Sequence, residues 1–286
     1  MRELAISGAL LLKAEAFARA GRPCHLCRIR ATGTLRPVLS ITRRRFKRVL
    51  LKLSGEALAG DLKFGLDPKV LQYIGAQVHE VAEAGVEVCI VVGGGNFVRG
   101  ETFSGEGGID RTVADQMGML GTLMNALALQ SAIERTGLQV RVQSAVNVAQ
   151  VAESFIVRRA IRHLEKGRVV VFAAGTGNPY FTTDTAAVLR ALETKCDVLV
   201  KATKVDGVYD KDPKKHDDAR RYDALTFGTA IEKRLGVMDQ TAFTMCREND
   251  MALIVLDFNT PGAMLDATTG GPTGTIVGGD EDTWAS

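Results

Sequence analysis

From residue 48 onward, short apolar runs alternate with longer amphipathic stretches. The run at 49–53 (VLLKL) predicts a buried strand that ends in a turn at Ser54 and Gly55. Residues 68–84 place Val70, Ile74, Val78 and Val81 at helical spacing, with Pro68 suited to a first helical position after Asp67 and Gly85 as the stop. Residues 86–92 (VEVCIVV) predict a second strand and 110–136 one long helix closed by Gly137. A third strand follows at 139–142, then an amphipathic helix at 151–166 closed by Gly167. Residues 169–173 (VVVFA) and 198–202 (VLVKA) predict the fourth and fifth strands, around a helix at 183–194. Helices are expected at 226–235 and 239–249, and strands at 253–258 and 274–277. Strands alternating with helices predict an α/β fold, a mainly parallel, doubly wound sheet with helices on both faces. The 110–136 helix is apolar on most sides, through Val113, Met117, Leu120, Leu123, Met124 and Leu127. That pattern suits burial against the sheet and permits a subunit contact.

Composition narrows the class. The chain has 286 residues, 46 % hydrophobic and 24 % charged, so it can bury a sizeable core and is not a disordered polymer. No run approaches the roughly 18 apolar residues of a membrane helix. Five scattered cysteines do not make a disulfide framework and fit a reducing, cytoplasmic setting. Cys89 and Cys196 are expected in the core, His79 and His163 on the surface.

Charge divides the chain at about residue 45. Residues 1–45 carry ten Lys/Arg against two acids, while 46–286 carry the remaining 26 against 31. The body is therefore not basic, and no nucleic-acid-binding role is expected. The first 45 residues read as an extension before a single catalytic domain at 46–286. A transit peptide, a disordered tail and a misplaced start all remain open for it. Cys24, His25 and Cys27 look like half a metal knuckle, but no second pair lies nearby, so no metal site is assigned.

Ligands of such sheets bind at the carboxyl ends of the strands. Those ends read KLSG, GGGN, AGTGNP and KATKVDG, and their glycines let backbone amides approach a polyanion. Four such clusters at one end of one sheet are more than turn chemistry. Neither a P-loop nor a GxGxxG fingerprint after the first strand is present, which argues against P-loop kinases and simple Rossmann dehydrogenases. Lys52 interrupts an apolar strand, and a buried lysine without an anionic partner is costly. The bland reading is a lysine snorkelling to water.

KLSGE at 52–56, GGGN with Arg99 at 93–99, ADQMGML at 114–120, GTGNPYFTTD at 175–184 and KATKVDGVYDKDP at 201–213 are similar, in order and spacing, to the bacterial-type uridylate kinases. Those enzymes belong to the amino-acid-kinase fold family, and the resemblance covers about residues 46–278. It implies phosphoryl transfer from ATP to UMP with magnesium, in pyrimidine nucleotide biosynthesis. It further implies a homohexamer, GTP activation and UTP inhibition, and no need for nucleic acid or membrane.

By resemblance, Lys52, Arg99 and Asp184 are catalytic. ATP is expected to meet Lys52, Leu53, Ser54, Gly55, Gly95, Arg99, Thr203, Tyr209 and Asp212. UMP is expected to meet Gly94, Asp115, and the run Thr176, Gly177, Asn178, Pro179, Tyr180, Phe181, Thr182 and Thr183. Asn96 is expected to line the phosphates with Gly94 and Gly95. Lys201 and Lys204 are plausible phosphate neighbours; Lys211, Lys214 and Lys215 are each available as an assisting lysine, and Asp239 has an open role. Plainer readings stand beside these: Asp115 as a dipole cap, Asp184 as a helix N-cap and Asp212 as a turn former. Two other functions are compatible with the same fold, a family member phosphorylating a carboxylate or carbamate and a non-catalytic nucleotide or oxyanion storage or sensing protein. The first needs a different acceptor loop, and the second predicts loss of Lys52, Arg99, Asp184 and Asp212.

Overall fold

A computed structural model of the protein describes residues 45–98, 108–213 and 215–285. The elements in chain order are β1 (Arg48–Leu53), α1 (Gly55–Ala59), α2 (Pro68–Glu83), β2 (Glu87–Val92), α3 (Arg111–Glu134), β3 (Val140–Ser144) and β4 (Glu153–Ser154). They continue with α4 (Val157–Glu165), β5 (Val169–Ala173), α5 (Thr183–Glu193), β6 (Val198–Thr203), β7 (Tyr222–Leu225), α6 (Phe227–Glu232) and α7 (Gln240–Glu248). The last are β8 (Leu253–Asp257), α8 (Ala263–Thr269), β9 (Thr275–Val277) and β10 (Thr283–Trp284). The strands form one ten-stranded sheet in the order β10-β7-β9-β8-β6-β1-β2-β5-β3-β4. Pairing is parallel throughout except for β8 with β9 and β10 with β7.

The central strands are apolar on both faces because each face meets a helical layer. In β1, Val49, Leu51 and Leu53 enter one core, shared with Ile74 and Val78 of α2 and with Leu129 and Ile133 of α3. Leu50 enters the other core, with Leu164 of α4, Val188 of α5 and Phe243 of α7. Strand period and two-sided burial thus produce a helix–sheet–helix sandwich. β1 sits where the winding reverses, with β2 on one side and β6 on the other, which is the switch point at which open α/β sheets bind ligands.

Several expectations need correction. The helix expected from 151 begins at Val157, because Glu153 and Ser154 pair with Gln143 and Ser144 of β3 instead. Phe155 also packs edge-on against Phe172, its ring centroid 5.5 Å away, which holds that stretch extended. His163 is not a surface residue: its side chain is 12 % exposed, and its ring nitrogens lie 3.1 Å from Glu153 and 3.1 Å from Arg168. The short elements α1, β7, α8 and β10 were not anticipated, since each depends on a cap or a distant partner rather than on periodicity. Cys89 and Cys196 lie in the core as expected, and burial pushes the Cys89 thiol well up from its ordinary value. Among the described residues no helix is long and apolar enough to cross a membrane.

Candidate active site

Lys52 is the fifth residue of β1 and Lys201 the fourth of β6, and the parallel register sets them side by side. Both follow the alternation of Leu50 and Leu199, so both stand on the sheet face covered by α5. Two like charges in a mostly dry layer require a counter-charge. Asp184, in the first turn of α5, supplies it: Lys52 Nζ lies 2.7 Å from Oδ1 and Lys201 Nζ 2.9 Å from Oδ2. The three side chains are 11 %, 16 % and 14 % exposed for Lys52, Lys201 and Asp184. Burial pushes the Asp184 carboxyl up, but the two lysines outweigh it and hold the group below the usual carboxylate range. Burial likewise lowers Lys201 below an ordinary lysine, against the pull of Asp184. Lys201 also donates to the Val237 carbonyl.

Asp184 is not the helix cap that one reading allowed. The cap of α5 is Thr182, whose hydroxyl accepts from the amides of Asp184 and Thr185. The carboxylate is therefore free to reach the lysines. Asp239 caps α7, accepting from the Ala242 amide, and receives the hydroxyls of Thr182 and Thr185. It thereby ties α7 to the start of α5.

Two cavities lie near this centre, Lys201 lining one and Thr183, next to Asp184, lining the other. One, of 610 Å3, is lined by Lys201, Thr203, Tyr209, Asp212 and the segment 233–237. The other, of 240 Å3, is lined by Gly94, Gly95, Arg111, Asp115, Thr176, Asn178, Phe181, Thr182 and Thr183. The loop into α5 is held in left-handed backbone at Ala174 (φ 62°) and Tyr180 (φ 71°) as well as at Gly175 and Gly177. Non-glycine residues in that region persist only where surrounding structure enforces them. Here the Tyr180 amide donates to Asp115 Oδ2 at 2.8 Å, fastening the loop to α3. Asp115 also takes Arg111 Nε at 2.9 Å, while Asp110 caps α3, so Asp115 is no dipole cap.

The GGGN bend follows β2 and is locked to the end of β1 by the Gly93 amide on the Leu53 carbonyl at 2.9 Å. Gly94 is required to be glycine, because a Cβ there would come within 2.5 Å of the Gly118 carbonyl of α3. Asn96 does not face a phosphate site. Its amide exchanges hydrogen bonds of 2.9 and 2.7 Å with Asn125 and is 3 % exposed, so it braces the bend from behind.

Of the other predicted residues, Leu53 is fully buried in the core and offers a ligand only its backbone. Ser54 caps α1, its hydroxyl accepting from the Ala57 amide at 3.1 Å. Gly55 packs under the GGGN bend, where a Cβ would meet Asn96 at 2.5 Å. Gly95, expected on the ATP side, lines the smaller cavity beside Gly94. Gly177, Pro179 and Tyr180 are not among that cavity's lining residues, and Tyr180 is 70 % exposed. Asp212 lines the larger cavity, and its carbonyl also closes a turn onto the amides of Lys215 and His216. Arg99 and Lys214 lie outside the described residues. Lys211 pairs with Asp218 and Lys215 with Asp212, and Lys204 lines a separate 380 Å3 cavity with Asp61 and Asp67. The role of Lys201 as partner of Lys52 was not read from the sequence. Its signal was a lysine interrupting VLVKA as Lys52 interrupts VLLKL. The 233–237 wall carried no such signal.

A buried lysine–carboxylate–lysine centre at the switch point of a three-layer sheet, with two cavities nearby and no P-loop, defines a class, and the comparisons agree. The Amino acid kinase family matches residues 47–257, and the chain belongs to that family. It is 54 % identical to a uridylate kinase of Paramagnetospirillum magneticum over 236 residues, covering 82 % of this chain and 98 % of the relative. It is 52 % identical over 254 residues to the Arabidopsis thaliana protein named uridylate kinase PUMPKIN, chloroplastic, covering 89 % of this chain and 73 % of that one. Among solved structures, a UMP kinase from Bacillus anthracis superposes with a TM-score of 0.82 at 38 % identity, covering 85 % of this chain and all of that one.

Proposed function

We propose that the protein is a nucleoside monophosphate kinase that transfers the γ-phosphoryl group of ATP to UMP, giving UDP and ADP in pyrimidine nucleotide metabolism. The observation that carries this reading is the Lys52–Asp184–Lys201 centre, with Lys201 lining one cavity and Thr183, the neighbour of Asp184, lining the other. Phosphoryl transfer needs two phosphates held in line and their charge neutralised, and little else from the protein.

In this reading ATP occupies the larger cavity, against Thr203, Tyr209 and Asp212, and UMP the smaller one, against Asp115 and the 176–183 loop. An oxygen of the UMP phosphate attacks the γ-phosphorus while the bond to the β–γ bridging oxygen breaks. Lys52 meets the equatorial oxygens of the migrating group, Lys201 assists from the adjacent strand, and Asp184 holds both ammonium groups in place until the phosphates arrive. Lys52, Arg99 and Asp184 are the proposed catalytic residues. Among the described residues no three His, Cys, Asp or Glu side chains cluster as a metal cage. Asp184 offers a single carboxylate, and magnesium commonly takes one or two carboxylates plus substrate phosphates. That donor set fits an ion delivered with ATP as part of the substrate.

Homohexamer assembly, GTP activation and UTP inhibition belong to the same proposal. The apolar stripe of Val113, Leu120 and Met124, 46 %, 52 % and 52 % exposed on α3, supports a subunit contact. Cytoplasmic placement is supported by the free, buried Cys89, Cys196 and Cys246. Residues 1–45 are proposed to be dispensable for catalysis.

The test is coupled ADP release with UMP, CMP, glutamate and carbamate as acceptors, run with and without GTP and UTP. It should use the full chain and a chain starting at residue 46, each sized by light scattering. The reading expects turnover with UMP far above every other acceptor, in both chains. Preference for a carboxylate or carbamate acceptor, or ATP binding without turnover, would point to one of the two other functions.

A further inference from the structure

The larger cavity has two walls that come from separate stretches of the chain. One is the 209–213 turn and the other the 233–237 segment after α6. Residues 282–284 touch the supports of both. The Trp284 ring stacks on Tyr222, with centroids 4.2 Å apart and planes 20° from parallel. Lys233, a lining residue of the second wall, donates to the Tyr222 hydroxyl at 2.8 Å. The Arg220 guanidinium covers Trp284, 4.4 Å from its centroid. Arg220 in turn bonds Asp210 of the first wall twice, its amide donating at 2.9 Å to Asp210 Oδ1 and its carbonyl accepting from the Asp210 amide at 3.1 Å. Asp282 holds the start of α6, accepting from the Thr226 amide at 2.7 Å and from the Thr229 hydroxyl at 2.5 Å.

We propose that residues 282–284 are a clasp across the two walls of this cavity, with Trp284 as a positioning residue for ATP. The inference rests on the assignment of the cavity to ATP made above. Trp284 touches neither the Lys52–Asp184–Lys201 centre nor the smaller cavity, so its loss loosens one substrate site and not the other. It is 38 % exposed, and its ring covers Tyr222, which is 1 % exposed. It is also the only tryptophan of the chain, so its emission reports on this clasp alone.

Trp284→Ala is expected to raise the ATP KM about five- to tenfold, the size of one lost stacking pair, and to leave the UMP KM and the kcat at saturating ATP within about twofold. Trp284→Phe, which keeps a ring on Tyr222, should recover most of the ATP affinity. Asp282→Ala should move the ATP KM in the same direction and serves if Trp284→Ala does not fold. In the wild-type protein, ATP should shift tryptophan emission and UMP should not. An unchanged ATP KM in both variants overturns the clasp, as does an equal rise in both KM values with a lowered Tm, the mark of a purely structural residue. Calorimetry on the wild type separates the two levels: absence of ATP binding defeats the cavity assignment and the clasp with it, whereas binding of ATP that the variants leave untouched defeats the clasp alone.

Discussion

Asp184 and Glu153 each gather several basic or amide groups, at opposite ends of the sheet's usefulness. Asp184 lies over the central strands, takes Lys52 and Lys201 at 2.7 and 2.9 Å, and is 14 % exposed. Glu153 lies on the edge strand β4, takes His163 at 3.1 Å, Gln143 at 3.2 Å, Arg141 at 3.9 Å and Arg159 at 4.0 Å, and is 32 % exposed. In both, burial pushes the carboxyl up and the neighbours win, so both sit below their ordinary values. The difference is where the cations point. Around Asp184 two lysines share one carboxylate, leaving a net positive centre with Lys201 lining a cavity; around Glu153 the groups fasten β4 to β3 and α4. A charge cluster acquires chemistry from its place at the strand ends and its exclusion of water, not from the number of its ions.

Mutation can break this contrast. The largest effect is expected for Lys52→Ala, which should lower kcat by a factor on the order of 10² or more, because a preorganised charge next to the transferring group is lost. Steady-state turnover near wild type would remove Lys52 from that role. Next, burial has already lowered Lys201, so the alkaline limb of the kcat profile should begin below the ~10.4 of an ordinary lysine. Lys201→Arg, charged at all accessible pH, should cost about tenfold at pH 8 and abolish that limb. A limb unchanged in the variant would assign it to another group.

The smallest effect is expected at the edge. Glu153→Gln should leave kcat unchanged and cost under about 1 kcal/mol, a Tm shift of no more than roughly 2–4 °C. Its folded pKa lies below the unfolded value, so its contribution is present above about pH 4.3 and is lost as pH falls through the folded pKa. The Tm gap between wild type and variant should therefore close in acid; a gap that widens there would contradict the assignment.

Much of the site was legible because strand ends announce themselves. Lys52 breaks an apolar run, and GTGNPYFTTD places glycines and hydroxyls where a helix N-terminus meets a ligand. Asn96 misled, because its place beside the glycines suggested a ligand contact while its amide is taken by Asn125, 29 residues further on. The pairing of Lys52 with Lys201 and the clasp at Trp284 were illegible for the same reason, since each joins residues far apart in the chain.

What the sequence determined by itself was the alternation of strand and helix, the two-sided burial of the central strands and the end of the sheet at which glycines gather. These depend on residue periodicity and backbone freedom, which are local. Only the tertiary structure decided that β6 lies against β1, that one aspartate serves two lysines, and which side chains brace a bend from behind. Strand neighbours are chosen by the packing of whole layers, so the partner of a buried charge depends on residues that its own segment does not contain.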